Sequence, residues 1–491
     1  MQYKNPILKG FHPDPSICRD DEGYYYIATS TFEYFPGVPI YRSRDLINWQ
    51  LLGHCLTRRS QLDLDRCPPS GGVFAPTIRY RNGRFYMITT DYGNAGNFYV
   101  FTDDILSGEW SEPIYVEQDG IDPSLLFDGE KAYLCSTYAN KTEGISLSEI
   151  DIETGKLLTP VVPVCRGSGG RFPEAPHIYR IGRYYYLLLA EGGTEYGHRA
   201  TMFRSENIFG PYEGCPFNPF LSHAEHAENA IQAVGHADLI SDGEGNWWLV
   251  CLGIRKHGQM HHNLGRETFL APLVRKDGWF SVRSEDGCIH LKMEGPGEGI
   301  QAEKGNFFTD FSGKVLEKEW SFLRNPREDR YSLTADGLLL RGNGKRLSDD
   351  LYPSMILIRQ TEFCCECRAE IEAREGCAGG LTVYYGFENH YELELRGNRL
   401  YFCRQIFDLS KEEDCGEIPP RCALIVCADM REYTFFLETD GVRRRIGSGS
   451  TAAMCSEVTR YISFTGTFFG VYAAEGQIRV KSFSLCEKES L

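Results

Sequence analysis

Asp14-Pro15-Ser16-Ile17, followed by Gly23-Tyr24-Tyr25-Tyr26-Ile27, is the stretch on which the fold turns, because it recurs along the chain. Ala75-Pro76-Thr77-Ile78 with Gly83-Arg84-Phe85-Tyr86-Met87 repeats it. So do Asp122-Pro123-Ser124-Leu125 with Gly129, Tyr133 and Leu134, and Ala175-Pro176-His177-Ile178 with Gly182-Arg183-Tyr184-Tyr185-Tyr186. A looser fifth copy is His236-Ala237-Asp238-Leu239 with Gly245-Asn246-Trp247-Trp248-Leu249. Each copy reads as two short strands around a tight turn, as at Asn82-Gly83 and Asp128-Gly129. Units of roughly 40 to 50 residues built from short strands are the mark of propeller blades. Five blades around one axis would bring the head of every copy to a common centre.

Working outward, the repeats occupy 1–297, predicted as a five-bladed β-propeller. The Gly-rich segment Met293-Glu294-Gly295-Pro296-Gly297-Glu298-Gly299 reads as a linker. A second region, 305–491, shows strand signals at 337–340, 363–371, 380–387, 391–395, 400–404, 433–438 and 470–474, with alternation clearest across Glu366-Cys367-Arg368-Ala369-Glu370-Ile371-Glu372. This predicts a β-sandwich, a jelly roll of the concanavalin kind, and an all-β chain throughout. Pattern alone leaves open whether the sandwich binds carbohydrate or braces the propeller.

The net charge of −16 argues against nucleic acid or an anionic membrane as partner. No apolar run is long enough for a membrane helix. Met1-Gln2-Tyr3-Lys4-Asn5-Pro6 carries no apolar signal core or cleavage site. The 18 cysteines are scattered, not framed as disulfide or zinc sets, and Cys18, Cys135 and Cys251 lie in apolar runs. These features predict a cytoplasmic protein with reduced thiols. His257, His261 and His262 look metal-like, but adjacent strand residues face opposite ways, so no shared metal is expected.

Three carboxylates stand at or beside the repeated slot. Asp14 and Asp122 each open an Asp-Pro-Ser phrase, and Glu174 lies between Pro173 and Ala175-Pro176. Flanking proline excludes helix and stiffens the backbone that presents each group. Other copies hold Ala75 and Ala175 in the slot, so the turn itself does not demand an acid. Carboxylates crowded in one pocket cannot all ionise freely, and at least one pKa rises. That yields an acid and a base from like groups, the arrangement of glycoside hydrolysis.

With these phrases in place, the chain resembles glycoside hydrolase family 43, in particular its two-domain β-xylosidases and α-L-arabinofuranosidases. The likeness runs through Asn5-Pro6-Ile7-Leu8, Phe11-His12-Pro13-Asp14, Ala28-Thr29-Ser30-Thr31-Phe32-Glu33, Ala75-Pro76-Thr77-Ile78-Arg79, Glu174-Ala175-Pro176, Gly235-His236-Ala237 and Gly265-Arg266-Glu267-Thr268. It implies an exo-acting, inverting hydrolase that frees a terminal pentose from xylo- or arabino-oligosaccharides. Asp14 would be the general base, Glu174 the general acid, and Asp122 the group that orients the acid and tunes its pKa. Arg266 would bind sugar hydroxyls and pair with Asp122. His236 would form the pocket floor, and Phe32, Phe74 and Ala75 its walls. The family often has Trp at the positions of Phe74 and Tyr34, both of which would line the pocket, so the choice between xylose and arabinose stays open. The resemblance implies no required cofactor. In some relatives a calcium lies beside the equivalent of His236, so a structural calcium there is compatible with it. The partner expected is a small oligosaccharide, and a homo-oligomer is compatible with the sequence. Two other readings stay open: a non-catalytic carbohydrate-binding propeller, and a retaining fructosidase-type enzyme. Retention calls for carboxylates about 5–5.5 Å apart and inversion for about 6.5–9.5 Å.

Overall fold

The computed structural model describes residues 2–138, 144–258, 261–296, 306–350, 352–372 and 375–488. Among these the regular elements are strands, apart from two short 3-10 turns, and no helix is long and apolar enough to cross a membrane. The chain divides into two compact units. The first comprises 1–32, 36–256 and 266–302, and the second 33–35, 257–265 and 303–491.

Among its described residues the first unit contains five antiparallel meander sheets. Their leading strands are Ser16–Arg19, Thr77–Arg81, Ser124–Asp128, Glu174–Ile181 and Ile231–Ser241. Each follows directly on a slot of the repeated phrase or contains it. Each leading strand meets the next, and Ser16–Arg19 meets Ile231–Ser241, so the five sheets close into a ring. The aromatic runs form the second strands: Tyr26 pairs with Cys18, Phe85 with Tyr80, and Tyr185 with Arg180. At Asn82-Gly83 the φ angles of 51° and 85° make the type I′ turn that suits a twisted hairpin.

Among the described residues, no regular strand from before Ser16 joins a sheet of the ring, though Leu8 bridges to Thr268 of the fifth. Instead Gln2–Lys4 pairs with Lys292–Glu294. The phrase Asn5-Pro6-Ile7-Leu8 then lies along the fifth sheet. The Asn5 side chain bonds Leu270 and His290 backbone oxygens at 2.9 and 3.1 Å, and Ile7 donates to Thr268 O at 2.9 Å. The expected linker is thereby corrected at its start: Met293 and Glu294 belong to this closing ribbon, and Gly297-Glu298-Gly299 lies outside the described residues.

The second unit holds two antiparallel sheets. In one, Cys365–Glu372 lies between Gln477–Glu487 and Arg421–Ala428. In the other, Ala378–Gly386 lies between Phe468–Glu475 and Asn389–Arg396. Cys365, Cys367, Ala369 and Ile371 point inward and alternate with partly exposed residues, and they share a core with Leu381, Val471, Phe483 and Trp320. Two short excursions from the first three hundred residues belong to this unit. Tyr34–Phe35 pairs with Phe322–Leu323, and Asn263 O accepts from Thr467 N at 3.0 Å.

Candidate active site

Four of the five slots share a backbone peculiarity. Asp14, Asp122, Ala175 and His236 occupy the left-handed region at φ of 54°, 53°, 52° and 48°. For residues with a Cβ this costs about 1–3 kcal/mol each and persists only where the surroundings over-determine it. The fourth and fifth leading strands also slip register, between Glu174 and His177 and on either side of Gly235. Such bulges re-aim side chains.

Asp14 is 4 % exposed. Its Oδ1 accepts from Arg266 Nη1 at 2.8 Å and lies 3.6 Å from His236 Nδ1, while Oδ2 accepts from Ser30 Oγ at 2.5 Å. Burial alone would raise its pKa, but Arg266, His236 and Ser30 outweigh that and hold it below the ordinary aspartate value. Asp14 is an anion whose oxygens are already aimed. The ion pair expected between Arg266 and Asp122 gives way here to one with Asp14. At Asp122 the guanidinium charge counts for less than burial and the two other carboxylates.

Asp122 is also buried, and its Oδ2 accepts from the Ala175 backbone N–H at 3.1 Å. That bond ties it to the residue next to Glu174. Burial, then Glu174 and Asp14, push its pKa well up. Burial and the Asp14 charge raise Glu174 to about 7, against the pull of Arg266. Below about pH 7 the cluster therefore pairs an ionised Asp14 with a protonated Glu174, a base and an acid made from two carboxyl groups. If turnover needs both forms, kcat/KM rises with pH through the Asp14 pKa, below 3.8. It falls again as Glu174 loses its proton near 7. A bell-shaped profile with limbs in those windows is the expected outcome of a pH–rate measurement, and a rate still climbing at pH 9 would contradict it.

Below the carboxylates sits a network that sequence reading missed. Asp238 is fully buried and takes Arg79 at 2.9 Å, Ser16 Oγ at 2.7 Å, Ile17 N–H at 3.0 Å, and the Tyr179 hydroxyl. Arg79 Nη2 also bonds His177 Nδ1 at 2.9 Å. Burial opposes the Asp238 charge, but Arg79, His177 and Tyr179 hold its pKa well below the usual range. The network joins the leading strands of the first, second, fourth and fifth sheets, and it begins two residues from Asp14. One signal was available in the sequence: an Asp inside the apolar run Ala237-Asp238-Leu239-Ile240 needs a buried partner. Ser30 and His198 were missed as well. His198 is 1 % exposed, and a Cβ on Gly235 would stand 2.1 Å from its Cδ2, which explains the glycine before His236.

Of the expected walls, Phe32 is buried with the Arg266 guanidinium 5.6 Å from its ring centre, and Phe74 meets it edge-on at 5.3 Å. Ala75 is buried beside Phe74. Tyr34 departs from expectation. Two residues beyond Phe32, it belongs to the second unit, pairs with Leu323 and packs on the ring of Phe468 at 4.3 Å.

His257 bonds Asn263 and His262 bonds Ser456, at 3.1 Å each, so these histidines serve separate partners. A calcium beside His236 does not fit the donors there. Calcium takes about six to eight oxygens. The carboxylate at hand, Asp14, is engaged by Arg266 and Ser30, and the charges acting on His236 besides those of Asp14 and Asp238 are those of Arg266. Among the described residues, side chains that could share an ion meet elsewhere, at His226, Asp286 and Cys288 and at Glu394, Cys403 and Glu412.

Comparison with known proteins bears on the family and the fold. The profile of glycosyl hydrolases family 43 matches residues 3–280, and that of the beta-xylosidase C-terminal concanavalin A-like domain matches 309–482. The chain is 39 % identical to the non-reducing end alpha-L-arabinofuranosidase BoGH43B of Bacteroides ovatus, over 96 % of this chain and 91 % of that one. A solved structure of a xyloglucan-locus GH43B protein from the same species superposes with a TM-score of 0.93 at 36 % identity, covering 99 % of this chain and 100 % of that one. The xylan beta-1,4-xylosidase of Bacillus halodurans C-125 gives a TM-score of 0.92 at 33 % identity, with coverage of 99 % and 100 %.

Proposed function

We propose that this chain, which belongs to glycosyl hydrolase family 43 and is a glycoside hydrolase, removes a terminal β-D-xylose or α-L-arabinofuranose from short oligosaccharides with inversion. The observation that carries the mechanism is the split between Asp14, held ionised by Arg266, and Glu174, raised to about 7.

Asp14 takes a proton from a water as that water attacks the anomeric carbon. Glu174 gives its proton to the departing glycosidic oxygen as the bond breaks. The step ends with Asp14 protonated and Glu174 ionised, and exchange with solvent restores both. Charge develops on the sugar ring as an oxocarbenium ion, which the nearby anion of Asp14 favours. Asp122 neither attacks nor donates. Held by the Ala175 N–H, it fixes the backbone next to Glu174 and so helps orient the acid, while burial and the neighbouring carboxylates push its own pKa well up. Arg266 aligns Asp14, and its guanidinium is the side chain assigned to the sugar hydroxyls.

Rates on 4-nitrophenyl β-D-xylopyranoside and 4-nitrophenyl α-L-arabinofuranoside test the glycone. Turnover of at least one is expected, and proton NMR of the first-formed sugar should show the anomer opposite to the substrate. Retained configuration would replace the single displacement by a covalent route, and no turnover of either pentoside would remove the pentosidase reading.

A further inference from the structure

The chain passes from the fourth sheet to the fifth through 223–230, and leaves the fifth sheet for the closing ribbon through 283–291. These two passages are clamped together. His223 is fully buried, and its Nε2 accepts from Ile289 N–H at 3.0 Å. The ring proton therefore sits on Nδ1, which donates to Ile231 O at 2.8 Å. Asn229 Nδ2 donates to Ile289 O at 3.1 Å. Both backbone groups of Ile289 are thus held, across 66 and 60 positions, and its neighbours Cys288 and His290 are held with it. The start of the chain anchors here as well, because Asn5 N–H donates to Leu291 O at 2.9 Å.

Beside the clamp, His226, Asp286 and Cys288 bring a ring nitrogen, a carboxylate oxygen and a sulfur within 4.8 Å of one another. The backbone places them. His226 N–H donates to His223 O at 3.0 Å, and the His226 carbonyl accepts from Asn229 N–H at 2.9 Å and from the buried Gln232 amide at 2.8 Å. Asp286 Oδ1 accepts from Cys288 N–H at 3.0 Å and faces His290 Nε2 at 3.0 Å. Cys288 is buried, whereas the His226 and Asp286 side chains are 35 % and 41 % exposed, so the group is open to solvent on one side. Among the described residues no lysine or arginine pairs with Asp286, and Lys256 donates to the Ala227 carbonyl instead. The other mixed cluster, Glu394, Cys403 and Glu412, differs in this respect: Arg396 already fills it, bonding Glu394 and lying 2.9 and 2.6 Å from the two Glu412 oxygens.

Nitrogen, oxygen and sulfur together suit a borderline-soft ion. Zinc accepts Cys, His and Asp in a tetrahedron, whereas calcium and magnesium take oxygen shells. Ligands about 2.0–2.3 Å from a tetrahedral zinc stand about 3.3–3.8 Å apart, a spacing that small torsions of the two exposed side chains reach. One thiolate and one carboxylate would offset the charge of the ion. We propose that His226, Asp286 and Cys288 bind a zinc ion, with water in the fourth position and His290 orienting Asp286. Binding displaces the Cys288 thiol proton to solvent. The ion staples the entry to the fifth sheet to the exit from it, and so locks the ring where the chain closes it. The site shares no residue with the carboxylate cluster and does not depend on the pentosidase reading.

The test uses the full chain, reduced, stripped with EDTA and then freed of the chelator. Isothermal titration with zinc chloride should show one tight site per chain. Zinc at about a hundred times its Kd should raise the thermal midpoint by roughly 5 °C. Asp286→Asn and Cys288→Ser should lose that site, and His290→Ala should weaken it by about 10–100-fold. Cobalt(II) gives a readout separate from stability: wild type should show a thiolate-to-cobalt charge-transfer band that Cys288→Ser lacks. Asp286→Asn and His290→Ala alter exposed side chains, so they carry the test even where Cys288→Ser fails to fold. Equal zinc affinity in wild type and Asp286→Asn, a midpoint that zinc leaves unmoved, or cobalt bound without the thiolate band would each overturn the assignment.

Discussion

Glu174→Gln is expected to lower kcat/KM on an unactivated pentoside by ~10²–10⁴-fold, the usual worth of a positioned proton donor. The loss on the 4-nitrophenyl glycoside should be much smaller. Nitrophenolate leaves with little help from an acid, so only the substrate that needs the proton reports its absence. Asp14→Asn should depress both substrates by a similar large factor, because the same base-assisted water attack accompanies departure of either group. The amide keeps the shape of the side chain and an oxygen for Arg266 Nη1, now 2.8 Å from Asp14 Oδ1, so the pocket stays formed. The alkaline limb near 7, assigned to Glu174, should vanish in Glu174→Gln. Equal losses on both substrates in Glu174→Gln would remove the acid from its role. Wild-type rates in Asp14→Asn would remove the base.

The second large effect concerns stability. Arg79→Met should destabilise the first unit by ~3–5 kcal/mol, as expected when one partner of a buried ion pair is removed and the other stays charged. Asp238 would keep the Ser16, Ile17 and Tyr179 bonds but lose the guanidinium that offsets its burial. Asp238→Asn should cost less, since the amide carries no charge to strand. In the double variant Arg79→Met/Asp238→Asn the two losses should fall well short of adding, because both remove one interaction. Urea unfolding followed by tyrosine and tryptophan fluorescence reads these differences. Additive losses, or an Arg79→Met midpoint equal to wild type, would mean that the network does not hold the leading strands together. Because Ser16 belongs to both the network and the stretch that presents Asp14, a weakened network should also slow turnover before the fold is lost.

Much of this protein was legible from local sequence. The strands Gly337–Arg341, Ala378–Gly386 and Asn389–Arg396 fall on the strand signals read at 337–340, 380–387 and 391–395, and Cys365–Glu372 on the alternation read across 366–372. Leu409–Glu417 and Val442–Ser450 were not predicted. They lie at sheet edges, are largely exposed, and have too little buried face to leave a period-two pattern. The slots were visible because the phrase repeats: a lone Asp-Pro reads as a turn, and its return at Asp122-Pro123 sets it apart. Tyr34 was misplaced because nearness to Phe32 says nothing about which sheet edge a residue two positions on will join.

The sequence by itself determined the repeat, the strand order within each blade, and which positions carry carboxylates, for these depend on neighbours within a few residues. Tertiary structure decided how the charges pair. Arg266 meets Asp14 across 252 positions, and Arg79 meets Asp238 across 159. Those partners are chosen by closure of the ring, which brings remote strand ends within a hydrogen bond of one another. The pKa contrast between Asp14 and Glu174 follows from the same closure. Two like carboxyl groups become a base and an acid only when burial and one guanidinium fall on them unequally.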